Sequence, residues 1–212
     1  MLRITELKLP LDHLEDEIKA GIIKRLGISE DELISYVIFR QGHDARKRDS
    51  ISLVYTLDVE IKNQKDILLR MADDLQISLT PDTTYQFVTQ VTKEITDRPV
   101  VIGTGPCGLF AGLLLAQMGF KPIILERGKE VRERTKDTFG LWRKGIFNPE
   151  SNVQFGEGGA GTFSDGKLYT QIKDPKHYGR KVLTEFVKAG APAEILRVSK
   201  PHIGTFKLVT MV

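Results

Sequence analysis

The sequence predicts an α/β protein with two parts, a ferredoxin-like unit over residues 1–95 and an incomplete Rossmann-type βαβ unit over residues 96–212. Three observations predict this class. Hydrophobic residues make up 41% of the 212 residues, as in ordinary globular domains. Short apolar stretches alternate with segments of helical periodicity. A polar stretch ending at Pro99 separates the two parts, which places a domain boundary near residue 95.

The N-terminal unit begins with a predicted strand over residues 2–9 and a helix after it. Asp12 stands where a helix N-cap is expected, with Glu15 three residues later as in a capping box. Apolar residues then recur at helical spacing as far as Gly27, a residue suited to the left-handed conformation at a helix C-terminus. These signals predict a β-α start to the unit.

Two strands, residues 35–41 and 51–61, flank a polar turn and predict an antiparallel hairpin. In the second strand apolar residues share one face, while Ser52, Thr56, Asp58 and Glu60 share the other, so that face is expected to be wet. Helical spacing from Ile67 to Leu75 predicts a second helix, and residues 85–91 are the candidate last strand. The resulting β-α-β-β-α-β order is that of the ferredoxin-like split unit.

The second part opens with a short apolar strand, residues 100–102, and a G-x-G-x-x-G motif directly after it. Gly103 permits a tight turn, Gly105 lets the backbone approach a pyrophosphate, and Gly108 lets the following helix pack closely on the strand. The N-terminus of that helix favours an anion, because its N–H groups are unpaired and the helix dipole is positive there. The pattern predicts a dinucleotide site.

A second apolar strand ends in Glu126, at a spacing typical of the acid that accepts hydrogen bonds from a ribose. A carboxylate at that position disfavours the 2′-phosphate of NADP, whereas FAD and NAD both fit. The uncharged residues 99–120 are long enough to cross a bilayer, but their strand–turn–helix division argues against a membrane span. In place of a prompt third strand, the chain continues with an amphipathic helix over residues 129–145 and a Gly-rich run over residues 156–168. Successive amides in such a run can form an anion-binding nest, which favours FAD.

These two motifs, RPVVIGTGPCGLFAGLLLAQMGFKPIILERG and SNVQFGEGGAGTFSDGKLYT, together with the N-terminal α/β unit, resemble bacterial FAD-dependent dehydrogenases of the glutathione-reductase-type flavin fold. The resemblance implies an FAD site, with NAD(P)H as a candidate electron donor and a small-molecule substrate. It also implies that the chain is the N-terminal part of a longer enzyme. The sequence itself predicts a strand at residues 195–200 and a helix beginning near residue 204. The implied FAD contacts are Gly103, Gly105, Pro106, Cys107, Gly108, Glu126, Arg127, Gly159, Gly161, Thr162, Phe163 and Ser164.

Composition and charge distribution exclude several classes of site and partner. A single cysteine, Cys107, excludes a disulfide framework and a multi-thiolate zinc site, and no metal site is expected. The second part is net basic, but its charges are scattered, so no nucleic-acid partner is expected. Regular charges at the N-terminus leave no signal-peptide core, which predicts a cytoplasmic protein. No catalytic acid, base or nucleophile can be named, and an NAD-dependent enzyme and a non-catalytic dinucleotide-binding or assembly module stay open as alternatives.

Overall fold

The computed structural model describes residues 1–47, 49–93, 95–170 and 172–211 as a mixed α/β structure with one antiparallel and one parallel sheet. Contacts divide the chain into two compact units. The first contains residues 1–84 together with two later segments, 169–184 and 193–201. The second contains the rest of the chain. The sequence predicted a single boundary near residue 95. In the structure the first unit ends its N-terminal stretch at residue 84 and also includes the two later segments.

The first unit is built on a four-stranded antiparallel sheet with two helices in its N-terminal stretch. In chain order the elements are β1 Leu2–Pro10, α1 Glu15–Leu26, β2 Leu33–Asp44, β3 Ser52–Ile61, α2 Gln64–Arg70 and β4 Ile77–Leu79. This is the β-α-β-β-α-β order that the sequence predicts. The strands lie side by side in the order β2-β3-β1-β4, so the first strand of the chain pairs with β3 on one side and with β4 on the other.

The core of this unit lies between one face of the sheet and the two helices. Alternate residues of β3 point into it, as the period-two pattern predicts, and α1 contributes Ile18, Ile22 and Leu26. Gly27 ends α1 in the left-handed conformation, with φ 59°. The buried members of the core are Leu2, Ile4, Leu7, Ile18, Ile22, Leu26, Ile28, Leu53, Tyr55, Leu57, Val59, Ile61, Ile67 and Ile77.

Three local predictions for this unit are wrong. The N-cap of α1 is Leu14 rather than Asp12, because the Leu14 N–H donates to Glu17 at 3.1 Å and the helix starts later. Leu75 is 98% exposed, since α2 already ends at Arg70. The last strand is β4 and not residues 85–91, because the short β4 segment already pairs with β1 at that edge of the sheet.

The polar face of β3 is less exposed to solvent than the sequence predicts. Asp58 is buried and accepts two hydrogen bonds from the guanidinium of Arg3, at 2.7 and 2.8 Å. The guanidinium carbon of Arg3 lies 3.7 Å from the centroid of the Phe39 ring. That of Arg180, from a later segment of the same unit, lies 4.7 Å from the same centroid. The predicted strand at residues 195–200 is reduced to a single parallel bridge between Val198 and Gln41.

The second unit contains a parallel strand pair with a helix between its strands. The strands are β5 Val100–Ile102 and β6 Ile123–Leu125, and α3 Pro106–Gln117 connects them. The other α-helices among the described residues are α4 Val131–Lys144, α5 Tyr178–Lys188 and α6 Thr205–Met211; α5 begins in a segment of the first unit. The strand–turn–helix–strand order predicted for residues 100–126 is therefore observed, as is a helix beginning near residue 204.

These two parallel strands are largely exposed, although all-apolar parallel strands are ordinarily buried. Val100 is 55% exposed and Ile102 is 85% exposed. A parallel strand is buried when it has neighbours at its edges and helices on both faces. Within the described residues this sheet has two strands, with α3 packed against it through the contact of Gly112 with Ile124. Among those residues, no helix combines the length and the apolar character that crossing a membrane requires.

Candidate functional site

The turn between β5 and α3 is held by backbone contacts. The Gly103 N–H donates to the carbonyl of Leu125 on the neighbouring strand, at 2.6 Å. Gly103 has φ 95°, a conformation that residues with a side chain rarely adopt. At Gly108 a Cβ atom would lie 1.9 Å from the carbonyl oxygen of Gly103, so only glycine lets α3 approach the turn this closely. The backbone conformation at Gly103 and the packing at Gly108 therefore require glycine at these two positions.

Gly105 differs from these two glycines. Its backbone is extended, with φ −65° and ψ 177°, which any residue can adopt. A Cβ atom there would have no neighbour within 4 Å among the described residues. Gly105 is also the N-cap of α3, followed by Pro106 and the exposed Cys107. The first turn of α3 thus begins beside open space, where its amides lack helical acceptors and its dipole favours an anion.

Glu126 follows β6 directly and points back to the same turn. One of its carboxylate oxygens accepts hydrogen bonds from the backbone N–H and the hydroxyl of Thr104, at 2.7 and 2.8 Å. The other accepts from the Gly128 N–H at 2.8 Å. Partial burial acts to raise the pKa of Glu126, but the hydrogen bonds from Gly128 and Thr104 outweigh it and hold that pKa below its usual value. Glu126 is therefore a carboxylate at neutral pH, fixed beside the turn.

The Gly-rich run lies against this turn. The Gly158 N–H donates to the carbonyl of Thr104 at 2.8 Å. A Cβ atom at Gly159 would lie 3.1 Å from the Cα of Gly105 and equally close to Pro106. The structure therefore brings together two motifs that are some fifty residues apart in the sequence, and their meeting point is the glycine that has open space beside it.

The remaining residues of the run face in different directions. Gly161 is exposed, and the Ser164 hydroxyl donates to its carbonyl at 2.7 Å. Phe163 is half-buried and lies edge-on to Trp142, with ring centroids 6.3 Å apart. Thr162 was predicted to line the cofactor, but its side chain is buried, with the hydroxyl 3.4 Å from an Arg134 nitrogen, so it lies inside the loop.

Arg127, another predicted cofactor contact, is directed to a neighbouring loop. Its guanidinium forms an ion pair with Glu150 at 2.8 Å and lies 5.4 Å above the ring of Phe155. The side chain is largely exposed, and the contribution of this residue to the turn is its position directly after Glu126 in the chain. Within the described residues, no cluster of three or more histidine, cysteine or acidic side chains is arranged to hold a metal ion.

Sequence reasoning missed three residues that shape this region. Thr104 is the main partner of Glu126, Gly128 is the second, and Arg134 crosses the loop behind the Gly-rich run. Thr104 sits at a variable position of the glycine motif, so the motif gave no signal for it. Arg134 lies on a helix rich in charged residues, where a solvated position is the ordinary expectation.

Two comparisons with known proteins bear on this chain. Residues 1–60 match a family model described as a domain of unknown function, DUF8436. An uncharacterized protein of Clostridium beijerinckii is 45% identical over 204 residues, which is 96% of this chain and 38% of that protein. The chain thus spans less than two fifths of the length of the curated relative it matches. Neither description assigns a reaction, a cofactor or a partner.

Proposed function

We propose that this chain is the N-terminal part of an FAD-dependent oxidoreductase, with a ferredoxin-like unit followed by part of a Rossmann-type FAD-binding domain. The parallel β5-α3-β6 unit with its glycine turn supports the second assignment, and the strand order β2-β3-β1-β4 supports the first. FAD would lie across the turn between β5 and α3, with its diphosphate at the N-terminus of α3.

The observation that carries the proposal is the open space at Gly105. The packing and backbone of the described residues give no reason for glycine there, in contrast to Gly103 and Gly108. A ligand whose oxygens approach the backbone closely supplies such a reason, and a diphosphate at a helix N-terminus is one. Gly159 of the Gly-rich run lies against Gly105, so the diphosphate would lie where the two segments meet.

Glu126 favours a ribose with free hydroxyls over a ribose carrying a 2′-phosphate. Its two oxygens accept three hydrogen bonds from Thr104 and Gly128, which fix the carboxylate beside the turn, where a ribose hydroxyl would donate to it. A phosphate at that place would repel the carboxylate. The first dinucleotide would thus be FAD rather than NADP, and NAD remains the competing ligand, since its adenosine ribose is the same.

When bound, the isoalloxazine of FAD would accept and pass on a hydride or electrons. The residues described here would bind and orient it: the turn at Gly105 and the run from Gly159 would hold the diphosphate, and Glu126 would hold the adenosine ribose. NAD(P)H is the proposed electron donor and a small organic molecule the proposed substrate. Contacts to that substrate would come from the remainder of the longer protein, as the 38% coverage of the relative suggests.

The test is to purify the whole protein from cells and identify what it carries. We expect a yellow protein that releases FAD, and not FMN, when it is denatured. NAD(P)H should bleach the flavin absorbance under anaerobic conditions if the protein is an oxidoreductase. A colourless protein that binds NAD would contradict the assignment of FAD, and a flavin that no reductant reduces would favour a non-catalytic binding module.

A further inference from the structure

Arg134 is the largest fully buried side chain of the second unit, with 0% of its surface exposed. It lies in the first turn of α4, and its guanidinium reaches across to the loop that follows the helix. Its Nε donates to the carbonyl of Asn152 at 2.8 Å, and a terminal nitrogen donates to that of Val153 at 2.9 Å. The other terminal nitrogen donates to the carbonyl of Glu157 and lies 3.4 Å from the hydroxyl of Thr162.

This arrangement needs the guanidinium fork. All three nitrogens are used, and their four acceptors extend over residues 152–162. A lysine has one nitrogen at the end of a flexible stem, so it cannot reproduce the spread of donors that the planar guanidinium directs at these acceptors. A buried charge is tolerated only when such hydrogen bonds compensate it. Arg134 therefore fixes the path of this loop, and the hydrogen bonds with the loop in turn offset the free-energy cost of burying the guanidinium.

The loop that Arg134 fixes is the one that contacts the candidate site. Gly156 packs on the arginine stem, where a Cβ atom would lie 2.7 Å from its Cδ. Two residues later the Gly158 N–H donates to Thr104, and Gly159 lies against Gly105. Arg134 is thus linked through one short loop to the glycine turn, although its own guanidinium faces the loop interior.

We propose that Arg134 is a positioning residue for the diphosphate site: it holds residues 152–162 in the conformation that sets Gly158 and Gly159 against the turn at Gly105 and so shapes the space beside that glycine. This inference rests on the proposed function, since it assigns Arg134 a role toward the same dinucleotide. Arg134 makes no contact with the ligand in this scheme, and its removal acts on affinity through the loop. An anionic ligand diphosphate is therefore the group whose binding depends on it.

The test uses Arg134→Ala and Arg134→Lys in the whole protein, with Arg132→Ala, an exposed arginine of the same helix, as the matched control. FAD affinity is measured by titrating the apoprotein, corrected for the folded fraction. We expect the Kd to rise about tenfold or more in both Arg134 variants, because hydrogen bonds to a charged group have that effect. Methylguanidinium should recover much of the affinity lost in Arg134→Ala, whereas methylammonium at equal concentration should not, and Arg132→Ala should bind normally.

A second measurement separates this proposal from the proposed function. Amide hydrogen exchange of the apoprotein should be faster at residues 152–162 in Arg134→Ala and unchanged in β3. If wild-type protein binds no FAD, the proposed function fails and the role toward FAD fails with it, while exchange still reports whether Arg134 fixes the loop. If wild type binds FAD and both Arg134 variants bind it equally well, or if methylguanidinium and methylammonium act alike, the positioning role is overturned and the proposed function stands. Should Arg134→Ala not fold, Arg134→Lys and refolding with methylguanidinium decide the question.

Discussion

Replacing Gly105 and Gly108 by alanine separates ligand binding from folding. At Gly108 the added methyl group would lie 1.9 Å from the Gly103 carbonyl oxygen and 2.9 Å from its carbon, both backbone atoms that no rotamer change can move. Overpacking of this kind costs about 1–3 kcal/mol or more. For a chain of this size that corresponds to a fall in Tm of about 2–12 °C. At Gly105 the same methyl group meets no described atom within 4 Å, so Gly105→Ala should change stability by less than about 1 kcal/mol.

FAD binding, unlike stability, should be weakened directly by Gly105→Ala. A methyl group at Gly105 occupies the space that the diphosphate would approach, at a clash cost of about 1–3 kcal/mol, which raises the Kd about 5- to 150-fold. Gly140→Ala is the matched control, since its methyl group is also free of neighbours but lies inside α4. It should add about 0.5–1 kcal/mol of helix stability and leave FAD affinity unchanged.

Thermal unfolding followed by circular dichroism and FAD titration of the apoprotein give both quantities for each variant. Gly105→Ala with wild-type affinity for FAD would refute the placement of the diphosphate at this turn. Gly108→Ala with wild-type stability would instead refute the packing argument, because it would mean that α3 can move away from β5 at little cost.

Two further predictions concern charged groups. Because the pKa of Glu126 is lowered in the folded protein, its stabilising effect is present above its unfolded value of 4.5 and is lost as the pH falls through the folded pKa. Glu126→Gln should thus lower the free energy of unfolding by about 1–3 kcal/mol at pH 7, with a smaller difference from wild type at pH 3; a pH-independent difference would contradict this. Asp58→Asn should cost about 3–5 kcal/mol in chemical denaturation, because it leaves the buried Arg3 without its counter-charge. Lys62→Ala, which breaks the exposed pair with Asp31, should cost less than about 1 kcal/mol, and similar losses for both pairs would be evidence against the burial argument.

The features that the sequence predicted well are those set by local rules. Alternation of apolar residues fixes the buried face of β3, because successive side chains of a strand point to opposite faces. Gly27 marks the end of α1 for a steric reason that needs no tertiary partner. The spacing from Gly103 to Glu126 is similarly local, since one strand, one turn and one helix determine it. These rules predict the order of strand, turn, helix and strand before Glu126, which the structure has.

The features that it missed depend on contacts between distant segments. Asp58 belongs to the polar face of β3 by its spacing, yet it is buried because Arg3 on the neighbouring strand supplies a counter-charge. Thr162 belongs to a Gly-rich run that the sequence predicted to face a ligand, yet it turns inward toward Arg134. The last strand was placed at residues 85–91, whereas the edge of the sheet is formed by the three residues of β4. Periodicity carries no information on such partners.

The exposed strands and the well-bonded turn beside them differ for one physical reason. Burial of β5 and β6 requires apolar surfaces on both sides of a sheet, which come from elements far away in the chain. The turn, in contrast, is fixed by hydrogen bonds among its near neighbours: Gly103 to Leu125, Thr104 to Glu126, and Gly158 to Thr104. An element added over the strands would therefore increase their burial and the stability of the unit, but the direction of the amides around Gly105 would be set by these bonds in either case.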